Sequence, residues 1–204
     1  MKFTYSIPTK ILFGPGSFND LATTPLPGKK ALVVITAGKS MRANGYLDRL
    51  IDMLDKQGIG HALFDKILPN PVLRHVHEGA ALAREQGCDF VIGLGGGSSI
   101  DSAKSIAVMA KNPGDYWDYI SGGSGKGQPL VNGALPIVAI ATTAGTGTEA
   151  DPWTVITKED TNEKIGFGCA ETFPVLSVVD PEMMASMPKG LTAATGMKSE
   201  AKRS

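Results

Sequence analysis

Apolar positions in this chain follow two alternating rhythms. Ala31-Leu-Val-Val-Ile35, Phe90-Val-Ile92 with Leu94, Pro136-Ile-Val-Ala-Ile-Ala141 and Val175 to Val179 are short unbroken apolar runs. Such runs mark strands buried on both faces of a parallel sheet. His61 to Phe64 reads as a further strand. Between the runs the spacing changes to that of helices. Leu47, Leu50, Ile51 and Leu54 share one stripe within Met41 to Gln57, which stops at Gly58. Val76, Ala80 and Ala83 share a second, opened by Pro69-Asn-Pro71 and closed near Gly87. Ile100, Ala103, Ile106, Ala107 and Ala110 share a third. This alternation predicts an α/β fold, a doubly wound and mainly parallel sheet of five or six strands with helices on both faces.

Shorter segments punctuate the pattern. Lys2 to Ser6 and Lys10 to Phe13 are β candidates around Pro8, a hairpin or edge piece ending at Gly14-Pro-Gly16, and Ser17 to Leu21 is a brief helix. Asp115 to Tyr119 is a short aromatic helix, and Ser121 to Gly133 a flexible Gly-rich loop. Trp153 to Thr157 and Lys164 to Gly168 flank the polar turn Lys158-Glu-Asp-Thr-Asn-Glu163, a β-hairpin pattern. Pro181 to Met187 begins a helix that Pro188-Lys-Gly190 interrupts. His75 and His77, two apart, point to opposite sides of their helix and read as solvated rather than metal-binding.

Composition narrows the function classes. The chain has 204 residues, 42% of them hydrophobic, enough to bury a real core. Its 20 acidic and 20 basic residues balance and so give no electrostatic argument for nucleic acid or an anionic membrane, and neither is expected as partner. No apolar run reaches membrane-spanning length and Met1-Lys-Phe-Thr-Tyr-Ser6 lacks a signal-type hydrophobic region, so a cytoplasmic protein is expected. Cys88 and Cys169 read as reduced structural thiols.

Chemistry concentrates at two strand ends. Gly95-Gly-Gly97 follows one apolar run, and Ser98 opens the helix of Ile100. Glycines let backbone N–H groups approach an anion, and a helix N-terminus adds unpaired N–H groups and a positive dipole end. A ligand-free strand-to-helix turn would use the same residues, and the spacing is neither G-x-G-x-x-G nor a Walker loop. A second loop, Thr142-Thr-Ala-Gly-Thr-Gly-Thr-Glu149, follows Pro136 to Ala141. Right-handed crossovers put both loops on one sheet edge, where they would grip one long ligand bearing a pyrophosphate.

Gly95-Gly-Gly-Ser98, Asp101, Lys104 and Thr142-Thr-Ala-Gly-Thr-Gly147 with Glu149 resemble the iron-containing (group III) alcohol dehydrogenases. Phe13-Gly-Pro-Gly16, Pro69-Asn-Pro71, Val155-Ile-Thr157, Val179-Asp-Pro181 and Leu191-Thr-Ala-Ala-Thr-Gly-Met197 extend the likeness in order. It implies a Rossmann-like, dehydroquinate synthase-like fold over residues 1–197, the family's N-terminal cofactor-binding domain without its C-terminal helical domain. Residues 198–204 are expected to be a tail foreign to the family. The resemblance further implies NAD or NADP as cofactor, with Gly95, Gly96, Gly97, Ser98 and Asp101 at the pyrophosphate and nicotinamide ribose. Thr142, Thr143 and Thr146 complete that grip, Lys164 reaches a ribose, and Asn70 lies near the same cleft. The glycerol dehydrogenase and dehydroquinate synthase branch fits the Thr142 to Glu149 motif less well.

Intact members of this family interconvert small alcohols with aldehydes or ketones on a bound Fe2+ or Zn2+. The resemblance places their ligand aspartate at Lys198 and a ligand histidine at Lys202, with two more histidines in the helical half. No metal is therefore expected on this chain, no catalytic residue is assigned, and the chain alone is expected to be inactive. The other reading is a stand-alone nucleotide-binding or assembly module. Thr36, at the end of the Ala31 to Ile35 run, replaces the carboxylate that rejects a 2′-phosphate, and Lys39 or Arg42 stands nearby, so weak discrimination or an NADP preference is expected. The resemblance also implies a dimer, a homo-oligomer formed through the N-terminal edge piece. Without the family's helical half, an uncovered apolar surface including Met183, Met184, Met187 and residues 191–197 is expected to promote self-association.

Overall fold

The computed structural model describes Lys2 and residues 6–201. Most of the first β candidate (residues 3–5) and the end of the expected tail (202–204, including Lys202) lie outside the described residues. Among the described residues eight strands form: β1 Lys10–Phe13, β2 Lys30–Thr36, β3 Gly60–Ile67, β4 Phe90–Gly95, β5 Ile137–Ala141, β6 Thr154–Lys158, β7 Glu163–Phe167 and β8 Leu176–Val179. Six make one sheet in the order β1-β8-β5-β4-β2-β3, and every pairing in it is parallel. β6 and β7 form the separate antiparallel hairpin that the polar turn predicts.

The apolar runs become interior strands because side chains on both faces are covered. On one face Val33, Ile35, Ile92, Leu94, Ile140 and Val178 pack under α2 (Tyr46–Lys56). On the other, Leu32, Val34, Val91 and Ile137 pack under α3 (Leu73–Glu85) and α4 (Gly97–Lys111), together with the hairpin residue Ile156. Full burial of each such aliphatic side chain contributes about 1.5–3 kcal/mol. The β4 to α4 junction is unusually close, since a Cβ on Gly93 would lie 2.9 Å from Ile100 Cα.

The chain passes from β2 to the edge strand β3, then crosses over to β4 on the other side of β2. The strand order thus reverses between β2 and β4, the position where open α/β sheets take ligands beyond their carboxyl ends.

Several expectations need correction. The Met41 to Gln57 helix is two, α1 (Ser40–Ala43) and α2, because Gly45 adopts a left-handed conformation with φ 68° between them. β1 is the edge piece, one of the two forms expected of it, and is paired in parallel with β8. His75 is buried, 5% exposed, because α3 packs against α4, β3 and the hairpin strand β6 together, with the Phe64 ring 6.3 Å away. His77 is partly covered beside Asp115. Loop 121–133 is pinned: Gly127 and Gln128 amides donate to Ile120 and Asp118 carbonyls at 2.9 Å, and Ser124 N donates to Glu163 Oε1 at 2.7 Å.

The expected apolar surface is partly used internally. Met183, in α5 (Pro181–Met184), is 1% exposed, its carbonyl accepting from Tyr46 Oη at 3.1 Å. Met184 packs on Ile100, Ala139 and Ala141. Leu191 and Met197, on α6 (Lys189–Ala201), stay exposed at 44% and 76%, and α6 runs across the boundary expected at residue 197. Both cysteines are free, and burial pushes both thiols above their ordinary value.

Candidate functional site

Because the sheet is parallel, the residue after each strand emerges on the same edge. Gly95 stands opposite Ala141, and Ala141 opposite Val179, so the two Gly/Thr loops and the turn after β8 leave side by side. Thr142 N donates to Gly95 O at 2.9 Å and joins the loops directly. The shared edge expected of them is present.

The first loop is shaped for close approach. Gly95 has φ 142°, a region L side chains rarely occupy. A Cβ on Gly96 would lie 3.0 Å from Thr143 Oγ1, and one on Gly97 3.0 Å from Thr146 Cγ2. The threonines of the second loop therefore fill the space the glycines leave, and the two loops form one cradle. Ser99 and Ile100 amides return to Gly96 O at 3.1 and 3.2 Å, whereas Gly97 and Ser98 carry the first amides of the helix, which have no intrahelical acceptor. No acidic side chain occupies the first turn of α4, so the positive dipole end faces the cradle unopposed. Gly96, Gly97, Ser98, Thr143 and Thr146 are half-buried, and Thr142 is buried.

The remaining expected residues fall along the same edge. Thr36 ends β2, pairing with Ile67 of β3 beyond a bulge. Asn70 follows β3 in a left-handed conformation, φ 61°, which asparagine tolerates. Lys164, on β7, donates to Asn70 Oδ1 at 2.8 Å, and Thr157 N donates to Pro71 O at 2.9 Å, so the hairpin closes onto the turn after β3. Arg42 is engaged by Asp65 at 2.7 Å, whereas Lys39 has no ion pair among the described residues.

Asp101 sits below the cradle and faces inward. Its Oδ1 accepts from Thr148 Oγ1 at 2.7 Å and its Oδ2 from Val155 N at 3.0 Å. Burial raises its pKa, and those two hydrogen bonds oppose the rise. Lys104, one turn on, is wholly buried and reaches the same cluster. Burial lowers its pKa, against the pull of Asp151 and Asp101. Sequence reasoning assigned Lys104 and Thr148 no role. The available signal was an isolated i, i+3 carboxylate and ammonium pair on a helix otherwise uncharged until Lys111.

Among the described residues, no three His, Cys, Asp or Glu side chains converge as metal ligands. No described helix is long and apolar enough to cross a membrane.

Comparison with known proteins adds kinship to this geometry. A family model described as iron-containing alcohol dehydrogenase matches residues 8–181. NADH-dependent butanol dehydrogenase B of Clostridium acetobutylicum is 36% identical over 192 residues, covering 94% of this chain and 48% of that protein. The crystal structure of NADH-dependent butanol dehydrogenase A from Thermotoga maritima superposes with a TM-score of 0.88 at 35% identity, over 97% of this chain and 48% of the other. Sulfoacetaldehyde reductase from Bifidobacterium kashiwanohense, solved in complex with NAD+, gives 0.84 at 32% identity over 97% of this chain and 51% of the other. The chain spans about half the length of the curated relatives it matches.

Proposed function

This chain belongs to the iron-containing alcohol dehydrogenase family, and from that premise we propose that it supplies the dinucleotide grip of an enzyme interconverting small alcohols with aldehydes or ketones. The observation that carries this reading is the cradle at the strand-order reversal, with Gly96 and Gly97 packed against Thr143 and Thr146 and helical amides turned toward the space above. A pyrophosphate over the N-terminus of α4 would accept from the Gly97 and Ser98 amides. One mononucleotide half would extend over β2 toward Thr36, and the other over β5 toward Thr142, Thr143 and Thr146, with Lys164 and Asn70 flanking it. The relatives include an NADH-dependent enzyme and one solved with NAD+. For this chain we propose either dinucleotide, with NADP at least tolerated, because Thr36 presents no carboxylate to repel a 2′-phosphate.

In the family's chemistry a divalent metal polarises the alcohol oxygen so that alkoxide forms near neutral pH. Among the described residues no group of His, Cys, Asp or Glu side chains fits such a metal. What these residues do is bind and orient the dinucleotide. We accordingly propose binding without alcohol turnover by this chain alone. The test is to supply Fe2+ or Zn2+, NAD(P)+ and a panel of short alcohols and diols to the purified chain, following nicotinamide absorbance beside calorimetric cofactor binding. Binding with no turnover is expected, and metal-dependent turnover at a rate ordinary for an intact enzyme would overturn the assignment.

A further inference from the structure

Granting the dinucleotide reading above, we propose that Lys104, Thr148 and Asp101 form a buried relay that fixes the second loop in place and so sets the grip on the dinucleotide half lying over β5. All three are positioning residues, Asp101 included: its carboxylate oxygens accept from Thr148 and Val155 and are not assigned to the ribose that the family resemblance implies for it.

The Lys104 side chain is 0% exposed. Its ammonium donates at 2.8 Å to Thr148 Oγ1, to Asp151 O and to Trp153 O, which uses all its hydrogens, and Asp151 Oδ1 lies 3.3 Å away. The Thr148 hydroxyl has one hydrogen, and the shorter contact assigns it to Asp101 Oδ1 at 2.7 Å rather than Trp153 O at 3.4 Å. Hydrogen-bond donation therefore runs in one direction, from ammonium through hydroxyl to carboxylate. Asp101 extends the anchorage: its Oδ2 accepts from Val155 N at 3.0 Å and its carbonyl from Thr154 Oγ1 at 2.7 Å. Two residues of α4 thus hold positions 148, 151, 153, 154 and 155.

The segment needs holding, because residues 142–153 contain no helix or strand. Within it and to the first loop, the backbone bonds are Thr142 N to Gly95 O and Ala150 N to Gly147 O, both 2.9 Å. A buried lysine is a poor way to gain stability, since well-packed apolar side chains of similar volume often serve as well or better. What it adds is one defined geometry for the polar groups around it. The helix that carries Lys104 also begins at Gly97, so the relay references the second loop to the first.

The consequence is directional. Displacing residues 142–146 disturbs a ligand that spans both loops and spares one that needs only the α4 N-terminus and the β2 side. The experiment uses the full chain as wild type, Thr148→Val, which keeps shape and removes the hydroxyl, and Thr148→Ser, which restores it. Calorimetry measures NAD+ and ADP, and amide hydrogen exchange is followed across residues 142–153 without ligand. Thr148→Val is expected to weaken NAD+ by about tenfold or more while ADP changes less than about twofold. Exchange should quicken across 142–153 with α4 and the strands unchanged, and Thr148→Ser should return both readouts most of the way. Equal losses for NAD+ and ADP, unchanged NAD+ affinity, or unchanged exchange would each overturn the relay. A wild type that binds no NAD+ would sink the dinucleotide reading, and the exchange data would still decide whether the relay positions the loop.

Discussion

Replacing Lys104 by methionine is the most informative stability perturbation. The stem is conserved in length, but the variant leaves Asp101 without its buried counter-charge and the Asp151 and Trp153 carbonyls without a donor each held at 2.8 Å. The Lys104 side chain is 0% exposed but its direct ion-pair partner Asp151, 3.3 Å away, is 36% exposed, so solvent screens that contact while Asp101, reached through Thr148, and the two carbonyls lose their donor inside the protein. Removing one partner of a buried, hydrogen-bonded charge cluster costs about 3–5 kcal/mol. For a chain of this size each kcal/mol shifts Tm by about 2–4 °C, so the expected fall is ~6–20 °C. The stranded Asp101 can relieve part of the cost by taking a proton. Its folded pKa is already raised above the ordinary 3.8 by burial and would rise further. The penalty is then full above that folded value and shrinks as pH falls through it, so the destabilisation should be smaller in mild acid than at pH 8. Urea unfolding of wild type, Lys104→Met, Asp101→Asn and the double variant closes the cycle, and the double should cost less than the sum. A loss under about 1 kcal/mol, the worth of an exposed ion pair, would refute the reasoning.

Other outcomes follow from particular contacts. Burial first, then the Arg74 charge, lowers the His75 pKa below its ordinary 6.5, so the unfolded chain binds the extra proton first and stability should fall as pH drops below about 6.5. His75→Leu should flatten that slope in urea titrations, and an unaltered slope would contradict the assignment. Calorimetric titration should find NADP at least comparable to NAD, with Lys39→Ala lowering NADP affinity selectively; NAD tighter by about tenfold or more would count against the Thr36 argument. β1 is an edge strand with Ile11 and Phe13 exposed at 40% and 75%, beside Val175 at 46%, so sedimentation should show self-association that Phe13→Lys weakens. A clean monomer at high concentration would contradict it.

The sheet, both loops and the hairpin were legible because each rests on local signals: unbroken β-branched runs for β2, β4, β5 and β8, glycine at the exits, and a polar turn between Trp153 and Gly168. What escaped depends on partners distant in sequence. Gly45 lies between Met41 and the stripe of Leu47, Leu50, Ile51 and Leu54, with no proline beside it to mark a stop, so the break shows only in its left-handed φ of 68°. His75 precedes Val76 on a helix covered on more than one side, and no single-stripe reading buries it. Met183 is covered through Tyr46, 137 positions away. The relay is the clearest case: Lys104 and Asp101 were visible as motif letters, yet their partners at 148, 151, 153 and 155 belong to an irregular loop and the strand after it, with no periodicity to place them.

The central claim is that two loops, separated by over 40 residues, are one dinucleotide site. Backbone NMR of the full chain during NAD+ titration tests it most directly. The amides of Gly95, Gly96, Gly97 and Ser98 and those of Thr142, Thr143 and Thr146 should shift together along one binding curve, with Thr36 and Lys164 following. Shifts confined to one loop, distinct affinities for the two, or changes centred elsewhere on the sheet would contradict the account.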